Sequence, residues 1–168
     1  QMFGYFLTSD TDQHKLFALI GLPRSGKGTI ARVLRALLGA DAVVNPTLDS
    51  LDETFGLQPL VGKSLAIIGD ARPGGAAEQS KVVERLLSIS GEDALLVNRK
   101  NTTMVNVRLR TRVLLLSNEL PRLYDTSGAL ASRFVILMLR KRFLGVEDIQ
   151  LEAKLLAELR GIVRGAVG

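Results

Sequence analysis

The sequence has no cysteine, a single histidine and only 5 prolines among its 168 residues. Without cysteine no disulfide can form, and a thiolate-based zinc site is excluded as well. His14 does not replace the missing thiolates, because one histidine with carboxylates rarely forms a structural zinc cage. We therefore expect a protein of a reducing, cytoplasmic compartment that needs no metal beyond magnesium.

Long apolar runs are absent too. The longest extend for a few residues, around 16–22 and 113–116, whereas a membrane-spanning helix needs roughly 20 apolar residues. The start of the chain lacks the charges, apolar middle and cleavage site of a secretory signal. With 46% hydrophobic residues, the chain can build one substantial core. We expect residues 1–168 to form a single domain without membrane contact, and the abrupt start at Gln1 indicates a piece of a longer protein.

Acidic residues are in the minority. The chain has 22 Lys and Arg against 17 Asp and Glu, for a formal net charge of +5 and a pI near 9.9. Such a surplus suits a protein that meets polyanions, because each neutralised phosphate releases counterions. Ordinary domains often carry a surplus of this size. The placement of the charges therefore has to decide whether nucleic acid is a partner.

Short apolar runs alternate with helical patterns along the chain. Continuous apolar stretches predict buried strands at 15–22, 64–69, 113–117 and 134–139. Apolar residues that recur every three or four positions predict amphipathic helices at 29–38, 81–89 and 147–163. Residues 1–15 have the pattern of a helix tail and a connecting loop. Strands that alternate with helices predict an α/β domain with a largely parallel sheet flanked by helices.

A different pattern lies at 94–110, where polar and apolar residues alternate. Val105, Val107 and Leu109 fall on one face, and Arg108 and Arg110 on the other. The alternation predicts a β-hairpin, inserted into the α/β order, with one wet and basic face. Alternation alone is equally typical of a solvated hairpin that binds nothing.

A glycine-rich loop joins the first predicted strand to the first predicted helix. Glycines let backbone N–H groups turn inward around the β- and γ-phosphates of a nucleotide, and the helix that follows directs its positive dipole end at the anion. The pattern predicts a P-loop that binds ATP. Its phosphate-binding residues are predicted to be Gly21, Pro23, Arg24, Ser25, Gly26, Lys27, Gly28 and Thr29. Because Gly28 stands where a hydroxyl commonly holds magnesium, Thr29 is the candidate ligand.

A P-loop also needs an acidic residue at the end of a neighbouring strand. Asp70 follows the predicted strand at 64–69 and is the candidate for positioning magnesium and the attacking water. Ala71 stands where many motor ATPases have a second carboxylate, and Glu119 is a candidate to share the task. The alternative for Asp70 is a turn cap before Pro73.

Two further polar residues stand at element boundaries. Asn118 follows the predicted strand at 113–117, where the strand ends of a parallel sheet bind ligands. It is a candidate for sensing the γ-phosphate or orienting water. Arg133 lies between a short helix and the strand at 134–139, where it could reach the nucleotide of a neighbouring subunit. An intramolecular salt bridge is the alternative role for Arg133.

The order of these features resembles the superfamily-three helicase domain of phage and plasmid primases, over about residues 4–161. The stretches that carry the resemblance are Gly69-Asp70-Ala71-Arg72, the residues 84–93, Ser117-Asn118-Glu119-Leu120-Pro121 and the residues 127–134. The resemblance implies an AAA+-like core in a bacterial, phage or mobile-element protein, which assembles into a hexamer, hydrolyses ATP at subunit interfaces and threads single-stranded or forked DNA through a central channel. It also implies a primase-like region before this domain.

The resemblance assigns roles to residues of this chain. Lys27 and Thr29 would hold Mg-ATP, Asp70 with Glu119 would position metal and water, and Asn118 would sense the γ-phosphate. Arg133 would act on the neighbouring subunit's nucleotide. The hairpin would contact DNA through Arg99, Lys100, Arg108 and Arg110. Asn101 stands where relatives commonly have an aromatic residue, so the expected contact is mainly ionic.

Two other functions fit parts of the pattern. Gly26-Lys27-Gly28-Thr29 is also typical of nucleotide kinases, which would transfer a phosphoryl group to a small molecule. Such enzymes need a mobile lid and a second nucleotide site, whereas here a helix and a basic hairpin follow the second strand. A regulatory module that hydrolyses ATP without unwinding DNA is the other alternative.

Overall fold

The computed structural model describes residues 2–8, 10–69, 76–121, 123, 125 and 127–167. In chain order its helices and strands are α1 (Met2–Leu7), β1 (Leu16–Gly21), α2 (Lys27–Leu38), β2 (Val43–Val44), β3 (Leu65–Gly69), α3 (Ala76–Ser90), β4 (Ala94–Arg99), β5 (Thr102–Arg108), β6 (Arg112–Ser117), α4 (Ala129–Arg133), β7 (Phe134–Leu139), α5 (Leu151–Ala157) and α6 (Leu159–Val167). Short 3-10 helices lie at Ala40–Ala42, Asp49–Asp52 and Gln58–Leu60. No helix among the described residues is long and apolar enough to span a membrane.

The main sheet has five strands in the order β2-β3-β6-β1-β7, and every pair in it is parallel. The predicted α/β class with a largely parallel sheet is confirmed. In the sheet, strand β6 lies between β1 and β3, although it follows both of them in the chain. Ser117 pairs with Ile20, and Gly69 with Leu116, so β1, β3 and β6 end side by side. We call this side of the sheet the carboxyl edge and the opposite side the amino edge.

The apolar core lies on both faces of this sheet. Leu16, Ala18 and Ile20 alternate along β1 and belong to a cluster that includes α3 and the hairpin strands. Phe17 and Leu19 face the other way, into a cluster that includes α1 and α2. A strand buried on both faces needs apolar side chains at every position, which explains the continuous apolar run in β1.

The predicted hairpin is confirmed. Strands β4 and β5 pair antiparallel in a sheet of their own. Val97 is buried and Val105 and Val107 are partly buried on the core side, whereas Asn106 and Arg108 are exposed. At the tip, Asn101 adopts a left-handed conformation with φ 59°. Asparagine adopts this conformation more readily than an aromatic residue does. The left-handed turn therefore explains why asparagine stands at position 101.

The predicted helix at 147–163 is wrong in its start and its continuity. Helix α5 begins only at Leu151, because the Asp148 carboxylate accepts a hydrogen bond from the Gln150 backbone N–H at 2.9 Å and fixes a turn there. The helical path breaks at Glu158, and α6 then extends to Val167. The sequence pattern also missed the two-residue strand β2 and the start of α3 at Ala76, five residues before the predicted start.

The N-terminal helix is tied to the sheet and to the C-terminal helix. The Arg112 guanidinium is buried at the start of β6, where it donates to the backbone oxygens of Phe6 and Thr8. Burial lowers the pKa of Arg112. Gly4 of α1 lies so close to α6 that a Cβ there would be 2.3 Å from the Ala166 backbone oxygen. The two ends of the described chain therefore pack together.

Candidate nucleotide site

The glycine-rich loop connects β1 to α2 at the carboxyl edge. Gly26 directly precedes α2 with φ 96°, a left-handed conformation that favours glycine. The first backbone hydrogen bond of the helix runs from the Ile30 N–H to the Gly26 oxygen at 3.0 Å. The N–H groups of Lys27, Gly28 and Thr29 therefore have no partner within the helix. Free N–H groups and the helix dipole together make this end of α2 suited to binding an anion.

Gly21 allows the loop to leave the sheet in a tight space. A Cβ on Gly21 would lie 2.7 Å from the Leu139 backbone oxygen and 2.8 Å from Ser25 Oγ. The Ser25 side chain is buried beneath the loop. A larger residue at position 21 would therefore displace either β7 or the loop. Both residues belong to the predicted phosphate-binding set, and both shape the loop.

Lys27 links this loop to the neighbouring strand. Its Nζ donates to the backbone oxygens of Gly21 at 2.5 Å and Leu22 at 3.0 Å, and to Asn118 Oδ1 at 3.0 Å. Burial lowers the pKa of the Lys27 ammonium group. The structure thus brings together Lys27 and Asn118, two of the residues singled out from the sequence, at the carboxyl edge.

The predicted acidic residues are less well defined. Asp70 and residues 71–75 lie outside the described part of the chain; Gly69, which ends β3 beside β6, is the last described residue before them. Glu119 is exposed directly after Asn118, and its backbone N–H donates to Ser117 Oγ at 3.4 Å. The roles assigned to Asp70 and Glu119 remain predictions.

Thr29 contacts a residue that the sequence analysis missed. Arg32 Nη2 lies 3.4 Å from Thr29 Oγ1, and Arg32 Nε donates to Glu152 Oε2 at 2.6 Å. Arg32 follows Thr29 by three positions on the same helix, a spacing that places side chains next to each other. This spacing is the sequence signal from which a contact between Thr29 and Arg32 could have been predicted. The partner Glu152 comes from α5, 120 residues further along the chain.

The segment after β7 returns to the glycine-rich loop. The Phe143 N–H donates to the Arg24 backbone oxygen at 3.0 Å, and Arg24 Nε lies 3.6 Å from Glu147 Oε1. Arg24 adopts a left-handed conformation with φ 65°, which is uncommon for a residue with a side chain. The loop's shape is therefore supported by the C-terminal segment as well as by its glycines.

Arg133 lies at the amino edge, on the other side of the sheet from Lys27. It directly precedes Phe134, which pairs with Leu16 at the start of β1. Its Nη1 donates to the Leu87 backbone oxygen at 2.6 Å and to Ser90 Oγ at 2.8 Å. These contacts cap the C-terminus of α3 within the same chain, and no carboxylate among the described residues forms a salt bridge with Arg133. The glycine-rich loop follows the other end of β1, so about the length of a strand, roughly 20 Å, separates Arg133 from the loop of its own chain.

The fold divides the predicted DNA-binding residues into two pairs. Arg99 and Lys100 lie at the hairpin tip, where the Lys100 N–H donates to Gln58 Oε1 at 2.9 Å. Arg108 and Arg110 lie at the hairpin base, separated from the tip by the length of β5, about 20 Å. The four residues therefore do not form a single patch.

At the hairpin base, Arg108 and Arg110 border a groove of about 480 Å³ at the amino edge of the main sheet. We call it the basic groove, because its lining includes four cationic residues: Lys63, Arg108, Arg110 and Arg112. No carboxylate is among the described residues that line it. Lys63 comes from the loop before β3, so its place beside the hairpin base could not be read from the sequence.

Comparisons with known proteins agree with this architecture. The model of a family of unknown function, DUF5906, matches residues 19–133. The apo structure of the NrS-1 C-terminal region superposes with a TM-score of 0.75 at 19% identity, over 93% of this chain and 37% of that one. An A-form apo structure of the same region gives 0.75 at 17% identity, over 99% and 40%.

A structure of JCV helicase with a bound thiazolopyridine compound superposes with a TM-score of 0.56 at 18% identity, over 90% of this chain and 50% of that one. At these identities the likeness shows a shared fold. The chain thus has the mixed α/β fold seen in a helicase, and it spans half or less of the length of these structures.

Proposed function

The chain belongs to the family of unknown function DUF5906, and we propose that it is an ATP-hydrolysing motor domain of a DNA helicase in phage- or plasmid-type replication. The observation that carries the proposal is the contact between Lys27 and Asn118 beside the open N-terminus of α2. It places an amide at a strand end beside the lysine of the predicted phosphate-binding loop, where both groups can act on the same phosphoryl group. The likeness in fold to JCV helicase supports the same conclusion.

In this proposal the loop binds the β- and γ-phosphates of ATP. The N–H groups at the start of α2 donate to the phosphate oxygens, and the Lys27 ammonium moves from the Gly21 and Leu22 oxygens to the phosphates. Burial lowers the pKa of the Lys27 ammonium group, and the nearby phosphate anion stabilises its charged form again. Lys27 then stabilises the negative charge that accumulates on the transferred phosphoryl group.

The residues near the loop also suit magnesium. Thr29 carries a hydroxyl on the first turn of α2, and among the described residues its contact is a long one, with Arg32 at 3.4 Å. Thr29 and Asp70 would hold the ion, which neutralises charge on the β- and γ-phosphates when bound. Asn118 would orient the attacking water or sense the γ-phosphate, and Glu119 would accept a proton from the water.

Arg133 completes the proposed mechanism from a second copy of the chain. Its place at the amino edge is the reason to assign it to a neighbouring subunit, where it would stabilise charge on the γ-phosphate. In such an arrangement each site is complete only when copies assemble, as in the hexamer proposed for the longer protein. The isolated chain then hydrolyses ATP slowly at low protein concentration.

Single-stranded DNA is the proposed polymer partner. The basic groove and the hairpin tip offer two separate cationic contacts. Arg108 and Arg110 are exposed at the groove and Lys100 at the tip, and exposed cations bind phosphodiesters by releasing counterions. Asn101 occupies the hairpin tip in a left-handed conformation, in a position where an aromatic side chain could have stacked on a base. We therefore propose that the tip contacts DNA through ionic interactions and not through stacking.

Binding of a fluorescein-labelled oligothymidylate across a range of salt concentrations tests this assignment. We expect the double variant Arg108→Gln/Arg110→Gln to lower the slope of log affinity against log salt by about 1.4, because each lost contact with a single strand removes about 0.7. Arg160→Gln/Arg164→Gln, which removes the same charge from exposed positions of α6, is the matched control. Equal slopes for the two double variants would exclude a specific role for the groove.

A further inference from the structure

Arg32 extends along α2 toward the end of the helix that carries the phosphate loop. Long helical side chains lean toward the N-terminus of their helix, so a residue at position 32 covers positions 28 and 29. Its Nη2 lies 3.4 Å from Thr29 Oγ1. The guanidinium is therefore placed on the same first turn whose N–H groups are free for an anion.

Gly28 makes room for this guanidinium. A Cβ on Gly28 would lie 3.1 Å from Arg32 Nη1, closer than most real Cβ contacts. The P-loop position that usually carries a hydroxyl side chain is thus open, and a positive charge of the same helix lies against the opening.

The charge of Arg32 is balanced by a carboxylate from the C-terminal segment. Arg32 Nε donates to Glu152 Oε2 at 2.6 Å, a short charge-assisted hydrogen bond. Both side chains keep substantial solvent exposure, 53% for Arg32 and 39% for Glu152. The pair is therefore weak enough to be exchanged for a stronger anion.

We propose that Arg32 is a further cationic ligand of the nucleotide's phosphates, and that Glu152 competes with those phosphates for it. When a triphosphate binds at the start of α2, the guanidinium turns from Glu152 and Thr29 toward the phosphate oxygens. The same movement frees the Thr29 hydroxyl. The inference rests on the proposed nucleotide site and adds a residue and a competing carboxylate to it.

Competition predicts effects of opposite sign for the two partners of one ion pair. Loss of the guanidinium removes a ligand and weakens nucleotide binding. Loss of the carboxylate removes a competitor and strengthens it. If the pair only held α5 against α2, either substitution would break the same contact and both would shift the affinity in the same direction or leave it unchanged.

The test is an equilibrium titration of the full chain with a methylanthraniloyl-labelled ATP in the presence of magnesium. We expect Arg32→Gln to weaken binding about tenfold, the effect of losing one charge-assisted hydrogen bond. Glu152→Gln should tighten binding about twofold to fivefold, the range of an exposed ion pair. The double variant should bind as weakly as Arg32→Gln alone, because Glu152 acts only through Arg32.

Arg35→Gln is the matched control, since it removes an exposed arginine from the same helix, one turn further from the phosphate loop. It should leave the affinity unchanged within about twofold. Circular dichroism melting of each variant verifies that it is folded. Equal shifts for Arg32→Gln and Arg35→Gln, or shifts of one sign for Arg32→Gln and Glu152→Gln, would overturn the inference while leaving the nucleotide site intact. A wild-type chain that binds no nucleotide would overturn the proposed function together with it.

Discussion

Lys27 Nζ lies 3.0 Å from Asn118 Oδ1, although 91 residues separate the two in the chain. The contact exists because β6 inserts between β1 and β3, which aligns the ends of three parallel strands. A cation on the phosphate loop and an amide on the neighbouring strand can then act on the same phosphoryl group.

The first prediction separates binding from turnover. We expect Lys27→Ala to abolish ATP binding, because the loop loses its mobile charge. We expect Asn118→Ala to leave ATP affinity within about threefold and to lower hydrolysis by about a hundredfold, the usual effect of losing a group that positions the reacting atoms. Titration with labelled ATP and steady-state phosphate release measure the two quantities. An Asn118→Ala variant that loses binding and keeps its turnover when saturated would contradict the assignment.

The second prediction concerns Arg133, which caps α3 within its own chain and is proposed to act in a neighbour. Arg133→Ala removes the guanidinium that donates to Ser90 Oγ and one of the donors to the Leu87 oxygen, which keeps the Gly91 N–H. We therefore expect the free energy of unfolding to fall by about 1–2 kcal/mol. Nucleotide binding should be spared and hydrolysis lost. Urea unfolding, ATP titration and phosphate release measure the three effects.

A mixing experiment isolates the action of Arg133 on a neighbour. Arg133→Ala keeps an intact phosphate loop, and Lys27→Ala keeps an intact Arg133. If the site is shared between subunits, mixing the two inactive variants restores part of the hydrolysis, because some interfaces combine both intact halves. No recovery, or loss of ATP binding in Arg133→Ala, would refute the shared site.

The third prediction tests the packing of α1 on α6. Gly4→Ala places a methyl group 2.3 Å from the Ala166 backbone oxygen, which must move, and we expect a loss of about 1–3 kcal/mol in the free energy of unfolding. Gly161→Ala is the matched control, because the position faces open space within α6. There alanine should stabilise by up to about 1 kcal/mol through helix propensity. Thermal melting of both variants checks the opposite signs, and a stabilised Gly4→Ala would show that α1 does not pack on α6 in solution.

The fourth prediction concerns acid stability. The Asp125 carboxylate accepts hydrogen bonds from the Ser127 hydroxyl at 2.6 Å and from the Leu130 N–H at 2.8 Å, which lower its pKa below 3.8. A lowered folded-state pKa adds stability that is present above the unfolded value and lost as the pH falls through the folded value. We expect Asp125→Ala to be less stable than wild type at pH 7, and the difference to shrink below the ordinary pKa of 3.8.

Urea unfolding from neutral to acidic pH measures that difference. Ser127→Ala removes one of the donors and should reproduce part of the effect of Asp125→Ala, with the same pH dependence. A difference that stays constant as the pH falls would mean that the charged carboxylate does not stabilise α4.

The fold could be predicted where the signal is local. The strands around Leu16, Leu65 and Leu114 are buried on both faces, so their apolar runs are unbroken, and the glycines of the phosphate loop mark its turn directly. The end of α2 at Gly39, with φ 89°, is equally local. These features depend on neighbours in sequence, which is why the sequence alone predicts the α/β order and the loop.

The features that were missed depend on partners far away in sequence. Glu152 meets Arg32, and Lys63 joins Arg108, only because the sheet and helices fold together. The start of α5 was wrong because periodicity does not register the turn that Asp148 fixes. The strand of Val43 and Val44 is too short to produce a pattern.

The proposed motor requires that DNA and a second copy of the chain both act on the site around Lys27. The most direct measurement is steady-state ATP hydrolysis with and without single-stranded DNA, at low and moderate salt, over a range of protein concentrations. We predict stimulation by DNA that grows with protein concentration and is absent in Lys27→Ala. Phosphoryl transfer that ignores DNA and depends on an added nucleoside monophosphate would contradict the account and indicate a nucleotide kinase.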